Sequence, residues 1–175
     1  MLDLFVIDAF RDEKIPSIVT KATQEDLALT ADWQTSWLSP EAIAMPNKVA
    51  LHRKDTNELL GLMSYVVDDR SLAVEIVYIE SAGHSNSNLL RVSNSPKKYI
   101  GIAKALFAYA VEISMTAGFD GVIVFKAKTT ELVEYYMQEF GAKHAGSYDP
   151  FRLILWEDAA TRILADYKKG ATENG

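Results

Sequence analysis

A short segment near the middle of the chain combines two lysines, a glycine and the start of a helical pattern. It reads Lys97-Lys98-Tyr99-Ile100-Gly101-Ile102-Ala103, and helical periodicity of apolar residues begins at Ile102. The first N–H groups of a helix have no partner within the helix, and the helix dipole makes that end positive. Together with a glycine that permits close approach, these groups predict a site for an anion such as a diphosphate. A capped helix with solvated lysines explains the same residues without a ligand.

Charge is distributed unevenly around this segment. The chain has 175 residues and a formal net charge of −6. Between Ser81 and Val111 there is no Asp or Glu, whereas Arg91, Lys97, Lys98 and Lys104 give this window +4 and leave −10 for the remainder. The overall acidity argues against a general nucleic-acid binder, because neutralising phosphates requires a dense basic face. The basic window adds a long-range electrostatic contribution to the predicted diphosphate site.

Side chains that suit proton transfer stand where the preceding strand ends. Glu80 closes the run LAVEIVYIE, and His84 follows in a loop rich in Ser, Asn and Gly. Carboxylates and neutral imidazoles are both common general bases. Glu75, on the opposite face of the same strand, is an alternative carboxylate. A solvated strand end and a surface histidine are the simpler interpretations.

The periodicity around these residues predicts an α+β protein with a mixed, mostly antiparallel sheet flanked by helices, in a single domain over residues 1–175. The expected strands are 4–7, 17–19, 49–53, 59–67, 72–80, 122–127 and 151–157. The expected helices are 25–33 with Thr23 as N-cap, 102–117 ended by Gly118, 129–140 ended by Gly141, and 159–167. The nearly continuous apolar run at 122–127 is typical of a strand covered on both faces, which predicts parallel pairing across the long helix. Trp33 and Trp37 are expected to be core or rim aromatics.

Composition excludes several classes of protein. Hydrophobic residues make up 49% and charged residues 24% of the chain, which is typical of globular domains. Because Cys is absent, a disulfide framework, a thiolate zinc site and a cysteine nucleophile are excluded. No apolar run approaches the ~18 residues of a membrane span, and the N-terminal segment lacks the basic region of a signal peptide. We therefore expect a soluble, cytoplasmic protein that binds neither nucleic acid nor membranes.

The order of the motifs resembles the GCN5-related N-acetyltransferase (GNAT) family. A strand ending EIVYIES, a loop, KYIGIA at the start of a long helix, a buried strand and a helix with EYYMQEFGA follow one another. The family's pyrophosphate motif, R/Q-x-x-G-x-G/A, is similar to residues 98–103, with Lys98 in the first place. A small bacterial subgroup with IES-x-x-H, KT and HY-x-x-x-x-GA resembles residues 79–84 and 128–142 more closely. The resemblance covers about residues 59–146.

This resemblance implies a GNAT-like acyl-CoA N-acyltransferase fold and acetyl-CoA as co-substrate, with no metal. The acetyl group would pass to a primary amine of a small molecule or peptide, by direct attack in a ternary complex. The residues that the resemblance and the motif assign to the cofactor are Tyr78, Ile79, Ser81, Lys97, Lys98, Tyr99, Ile100, Gly101, Ile102, Ala103 and Lys128. Glu80 and His84 are the candidate bases. The acceptor amine is not named by the sequence, and a homodimer is left open.

Tyr136 is the residue that the resemblance assigns as an acid for the departing thiolate. It precedes Gly141 by five residues, whereas the family's tyrosine precedes the glycine by four, where this chain has Met137. Tyr136 also belongs to an apolar stripe with Leu132 and Phe140, which predicts a core aromatic. Two other functions remain open: a module with the same fold that binds acyl-CoA without catalysis, and a structural α+β protein without a CoA site.

Overall fold

The computed structural model describes residues 2–86, 90 and 94–168, so Arg91 of the basic window lies outside the described residues. The strands are β1 (Phe5–Asp8), β2 (Glu13–Lys21), β3 (Lys48–Arg53), β4 (Leu59–Asp68), β5 (Ala73–Ser81), β6 (Tyr99–Ile100), β7 (Ile123–Lys126), β8 (Lys143–His144) and β9 (Arg152–Leu155). The helices are α1 (Gln24–Ala28), α2 (Pro40–Ala44), α3 (Ile102–Thr116), α4 (Thr130–Phe140) and α5 (Glu157–Ala165), and Gly83–Ser85 forms a 3-10 turn. Within these residues, no helix has both the length and the apolar character to cross a membrane.

The described strands form one mixed sheet in the order β6-β1-β2-β3-β4-β5-β7-β9-β8. β5 and β7 pair in parallel, with Val74 opposite Ile123 and Glu75 opposite Val124. The pairs β1–β2, β2–β3, β3–β4, β7–β9, β8–β9 and β1–β6 are antiparallel. The α+β class and the mixed, mostly antiparallel sheet are therefore confirmed.

The two long helices end where their glycines predict. Gly118 follows α3 with φ 85°, and Gly141 closes α4 with φ 72° while its N–H donates to the carbonyl of Tyr136. Both angles lie in the left-handed region, where glycine is favoured because it has no Cβ. Thr129 is the N-cap of α4, and its hydroxyl accepts a hydrogen bond from the N–H of Leu132.

The first third of the chain differs from the prediction. The helix expected over 25–33 ends at Ala28, and the chain then continues in turns to α2. α2 lies in a stretch where the sequence predicts no helix; the Ser39 hydroxyl caps it, and Pro40 occupies its first turn. The strand expected over 17–19 is longer, at Glu13–Lys21. Tyr99 and Ile100, expected in a turn, form the short strand β6 against β1.

The contacts divide the chain into two compact units, and the prediction of a single domain stays a prediction. The first unit comprises Asp3–Ser64 and Tyr78–Leu106, and its core includes Leu27, Trp37, Ala50, Leu59 and Leu62, with Ala22, Trp33 and Tyr78 partly buried against them. Among the described residues, the second unit comprises Leu2, Tyr65–Val77 and residues 107–168, and aromatic residues of α3, β7 and α4 pack together in its interior.

Gly61 lies on β4 where the first turn of α3 approaches the sheet. A Cβ at this position would lie 2.8 Å from Ile102 Cγ2, 3.0 Å from the carbonyl oxygen of Glu80 and 3.3 Å from Leu106 Cδ1. Contacts this short would force backbone or core side chains to move. The missing side chain at position 61 therefore allows the start of α3 to lie close to β4.

We expect Gly61→Ala to lower the free energy of unfolding by about 1–3 kcal/mol, because the added methyl group overpacks this contact. Chemical denaturation of both purified proteins measures the difference. Gly83→Ala is the matched control, since no described atom lies within 4 Å of its added Cβ, and it should change stability by less than about 0.5 kcal/mol. An unchanged Gly61→Ala protein would show that α3 moves away from β4 without cost.

Candidate functional site

The turn that precedes α3 is fixed by Tyr99, which is 1% exposed. Its hydroxyl accepts a hydrogen bond from Arg53 Nη1 at 2.7 Å and donates one to Glu58 Oε1 at 2.6 Å. Its backbone N–H donates to Ser85 Oγ at 2.9 Å. The pairing of β6 with β1 adds further backbone hydrogen bonds. Both the side chain and the backbone of Tyr99 therefore hold the segment directly before Gly101.

Gly101 forms a left-handed turn at the start of α3, with φ 92°. A side chain is strained at this angle, so the position favours glycine. The carbonyl of Gly101 accepts the first hydrogen bond of the helix, from the N–H of Ala105 at 3.0 Å. Apart from its chain neighbours, no atom of the described residues lies within 4 Å of a Cβ built on Gly101. The space in front of the turn is therefore not filled by the described part of the chain. An open turn at the start of a 15-residue helix is suited to an anion.

Lys97 and Lys98 have different surroundings. The Lys98 ammonium is exposed and lies 3.2 Å from Glu58 Oε2, and this hydrogen bond raises the pKa of Lys98. Lys97 is half-buried, and burial lowers its pKa. Burial alone would raise the pKa of Glu58, but hydrogen bonds from Tyr99 and Lys98 hold it below its usual value. Glu58 is therefore ionised at neutral pH and offsets part of the positive charge of the window.

His84 lies against the same residues. Its Nδ1 is 2.7 Å from Ser85 Oγ, its Nε2 is 3.4 Å from Glu58 Oε2, and its ring packs edge-on against Tyr99 at 5.3 Å between centroids. Burial lowers the pKa of His84, although the charge of Glu58 acts in the opposite direction. The ring is therefore neutral at pH 7, and 29% of the side chain is exposed. A neutral imidazole can accept a proton, and a nearby carboxylate stabilises the imidazolium that forms.

Glu80 is buried near the end of β5, with 4% of its surface exposed. Its Oε2 accepts a hydrogen bond from the N–H of Gln34 at 2.6 Å. Its Oε1 accepts one from the N–H of Thr35 at 2.8 Å and one from Trp37 Nε1 at 3.3 Å. All three donors belong to the turns between α1 and α2. Both carboxylate oxygens are thus engaged within the protein, and a role of Glu80 as general base stays a prediction.

The other β5 residues of the predicted site are partly exposed. Tyr78, Ile79 and Ser81 lie on β5 in the first unit. Tyr78 packs edge-on against Trp37, with the ring centroids 6.0 Å apart. The alternative carboxylate, Glu75, belongs to the second unit, where Arg152 Nη1 donates a hydrogen bond to its Oε1 at 3.4 Å.

Helix α1, which leads into the turns that contact Glu80, is fixed by a buried hydrogen bond between side chains. Asp26 Oδ1 lies 2.7 Å from His52 Nε2 on β3. Asp26 and Thr23 also form a reciprocal capping box, which confirms Thr23 as the N-cap. Burial alone would raise the pKa of Asp26, but hydrogen bonds from Thr23 and His52 hold it below its usual value. The start of α1 is therefore anchored to β3.

Tyr136 and Lys128 lie in the second unit. Tyr136 is 8% exposed and packs against Phe107, Phe125 and Phe140, at 5.4, 5.2 and 5.7 Å between centroids. Burial raises the pKa of its phenol to about 12. These are the surroundings of a core aromatic, and the role of Tyr136 as an acid stays a prediction. Lys128 is exposed and directly precedes Thr129, the N-cap of α4.

The candidate residues follow from the sequence, but their partners do not. Arg53 and Glu58 flank a turn, where charged residues are usually solvated, so the sequence gives no sign of their contacts with Tyr99. Ser85 was one of several serines in a loop. Gln34 and Thr35 act through backbone N–H groups, which every non-proline residue carries, so residue type gives no signal for this contact.

Comparison with known proteins identifies the fold. No family model and no curated protein matches the sequence. A GNAT-family acetyltransferase from Listeria monocytogenes is similar in structure, with a TM-score of 0.53 at 14% identity over 80% of this chain and 94% of that chain. A spermidine N-acetyltransferase chimera from Vibrio cholerae has a TM-score of 0.53 at 13% identity, over 85% and 98% of the two chains. An aminoglycoside acetyltransferase in complex with coenzyme A has a TM-score of 0.53 at 14% identity, over 83% and 98%. The chain therefore has the GNAT acyl-CoA N-acyltransferase fold.

Proposed function

We propose that the protein is an N-acetyltransferase that transfers the acetyl group of acetyl-CoA to a primary amine of a small molecule or peptide. The observation that carries the proposal is the open left-handed turn at Gly101, fixed by Tyr99 at the start of α3 within a window free of acidic residues. Backbone N–H groups at the start of α3, with Lys97 and Lys98 nearby, would hold the diphosphate of CoA. A CoA complex of an aminoglycoside acetyltransferase with the same fold supports this ligand.

We assign the remaining cofactor contacts to residues of β5 and to Lys128. Tyr78, Ile79 and Ser81 on β5 would contact the pantetheine arm. Their partial exposure supports this assignment. Lys128 is retained as a cofactor residue on the resemblance alone. A cytoplasmic location in a bacterium is proposed on the resemblance to the bacterial subgroup alone.

Direct transfer forms one bond and breaks one. The amine nitrogen attacks the carbonyl carbon of the thioester, the C–S bond breaks, the nitrogen loses a proton and the CoA thiolate gains one. We assign the proton from nitrogen to His84, the neutral imidazole beside Glu58. An ordinary thiol has a pKa of about 8.5, whereas the pKa of the Tyr136 phenol is about 12. Delivery of a proton from Tyr136 to the thiolate is therefore uphill. We assign protonation of the thiolate to bulk solvent after release, because a thiol with a pKa of about 8.5 is mostly protonated at neutral pH.

A second candidate function is a module that binds acyl-CoA without catalysis. Two observations favour it: the Glu80 carboxylate is fully engaged within the protein, and Tyr136 is buried among aromatic rings. Thermal shift with acetyl-CoA and with CoA detects binding in either case. Release of CoA in the presence of a panel of amines distinguishes the enzyme from the binding module.

We expect Gly101→Glu to abolish the binding of acetyl-CoA, because it places a side chain and a negative charge in front of the N–H groups that would hold the diphosphate. Isothermal titration calorimetry of the folded variant measures this. Gly118→Glu is the matched control: it has the same left-handed backbone and the same open surroundings among the described residues, but at the other end of α3. Unchanged affinity in Gly101→Glu would exclude this turn as the site.

We expect His84→Ala to lower kcat by about 10²-fold to 10⁴-fold, the usual effect of losing a general base. Because burial lowers the pKa of His84, the wild-type kcat should fall with decreasing pH only below the usual imidazole value of about 6.5. The variant should lack this fall. Titration with CoA provides the control, since the affinity should change little. Identical pH profiles for both proteins would exclude His84 as the base.

We expect Tyr136→Phe to melt within a few degrees of the wild type, to bind acetyl-CoA and to keep its turnover within about twofold. The substitution retains the buried ring and removes only the hydroxyl group, whose hydrogen an acid would donate. Thermal melting and a steady-state assay on a verified acceptor measure the two properties. A loss of at least about tenfold in kcat, a barrier increase of ~1.4 kcal/mol, would instead assign Tyr136 as the acid.

A further inference from the structure

The buried carboxylate of Glu80 accepts hydrogen bonds from a segment that is distant in the sequence. A carboxylate removed from water is costly unless hydrogen bonds replace its hydration. The donors are the consecutive N–H groups of Gln34 and Thr35 and the indole of Trp37, which lie 43 to 46 positions earlier in the chain. These donors occupy three of the about four lone-pair positions of the carboxylate, and with 4% of Glu80 exposed there is little access for a substrate amine.

The same contact accounts for the path of the chain at Gln34 and Thr35, beyond the end of α1. In a continued helix, the N–H groups of Gln34 and Thr35 would donate to carbonyls four residues earlier. The helix instead ends at Ala28, and the N–H of Trp33 turns back to the carbonyl of Thr30. This arrangement directs the next two N–H groups to Glu80. The turns thus exchange two helical hydrogen bonds for two bonds to a buried charge.

The turn also carries part of the core of the first unit. Trp37 is 1% exposed, packs in the cluster with Leu27 and Leu62, and contacts Tyr78 of β5 edge-on. Trp33 is partly buried against the same cluster. Asn86 Nδ2 donates to the Gln34 side-chain oxygen at 3.4 Å. A change at Glu80 therefore acts on the placement of two tryptophans.

We propose that Glu80 is a positioning residue whose buried carboxylate fixes the Gln34–Trp37 turn and its tryptophans against β5, and that it does not accept the amine proton. The structural part of this proposal stands without the proposed function. Only the kinetic arm of the test rests on acetyl transfer.

The first arm measures amide hydrogen exchange at single-residue resolution. In the wild type, the N–H groups of Gln34 and Thr35 should be protected although they lie outside helices and strands. Glu80→Gln should speed their exchange by about tenfold or more, because the amide nitrogen opposes an N–H donor. Glu75→Gln, a partly exposed carboxylate on the same strand, is the matched control and should leave both amides unchanged.

Two results of this arm would overturn the proposal: unprotected Gln34 and Thr35 amides in the wild type, or unchanged exchange in Glu80→Gln. The exchange rates of the two amides in the wild type test the proposal even if Glu80→Gln fails to fold. Glu80→Asp, which keeps the charge on a shorter side chain, should give exchange between that of the wild type and that of Glu80→Gln.

The second arm measures acetyl transfer to a verified amine. Glu80→Gln should raise KM for the amine and keep the shape of the kcat pH profile, with the affinity for CoA unchanged. A fall in kcat of about 10²-fold or more with loss of the acidic limb would assign Glu80 as the base and overturn the proposal. Failure of every amine to react would contradict the proposed function but would leave the exchange result valid.

Discussion

A buried negative charge determines how the first unit is built. Glu80 stands near the end of β5, and its carboxylate is compensated by donors from the turns between α1 and α2. A carboxylate without such donors is costly in the interior, and the N–H groups of Gln34 and Thr35 are accordingly directed to β5. The indole of Trp37, which is buried in the core, adds the third donor. The buried pair of Asp26 and His52 supports it by anchoring the start of α1 to β3.

The open turn before α3 depends on a second set of constraints. Gly61 lets the first turn of α3 lie against β4, and Tyr99 holds the preceding segment through Arg53, Glu58 and Ser85. Gly101 then takes a left-handed conformation that most residues avoid. Contacts on one side thus hold the turn of the proposed anion site, while no described atom lies within 4 Å of a Cβ built on Gly101.

The sequence correctly predicts the helices and strands whose formation depends on residues within the element or directly beside it. Apolar periodicity marks α3 and α4, Gly118 and Gly141 mark their ends, and the apolar run of β7 predicts its parallel partner β5. The errors lie in turns whose contacts residue type does not indicate. The N–H groups of Leu29, Thr30 and Trp33 donate to carbonyls three residues earlier, and a carboxylate 45 or more positions away accepts those of Gln34 and Thr35. Of the site, Gly101 and Tyr99 could be named from the sequence, whereas the partnership of Tyr99 with Glu58 could not, because it joins positions 41 apart.

The surroundings of the two lysines bear on the proposed anion site. Lys98 is paired with Glu58, and Lys97 is half-buried, with burial lowering its pKa. The backbone N–H groups and the positive end of the α3 dipole would add an attraction that depends on the conformation of the turn. Side-chain identity should therefore matter most at residues that set this conformation, and least at exposed lysines. In the proposed site, recognition by backbone groups would tolerate lysine in the first place of the motif.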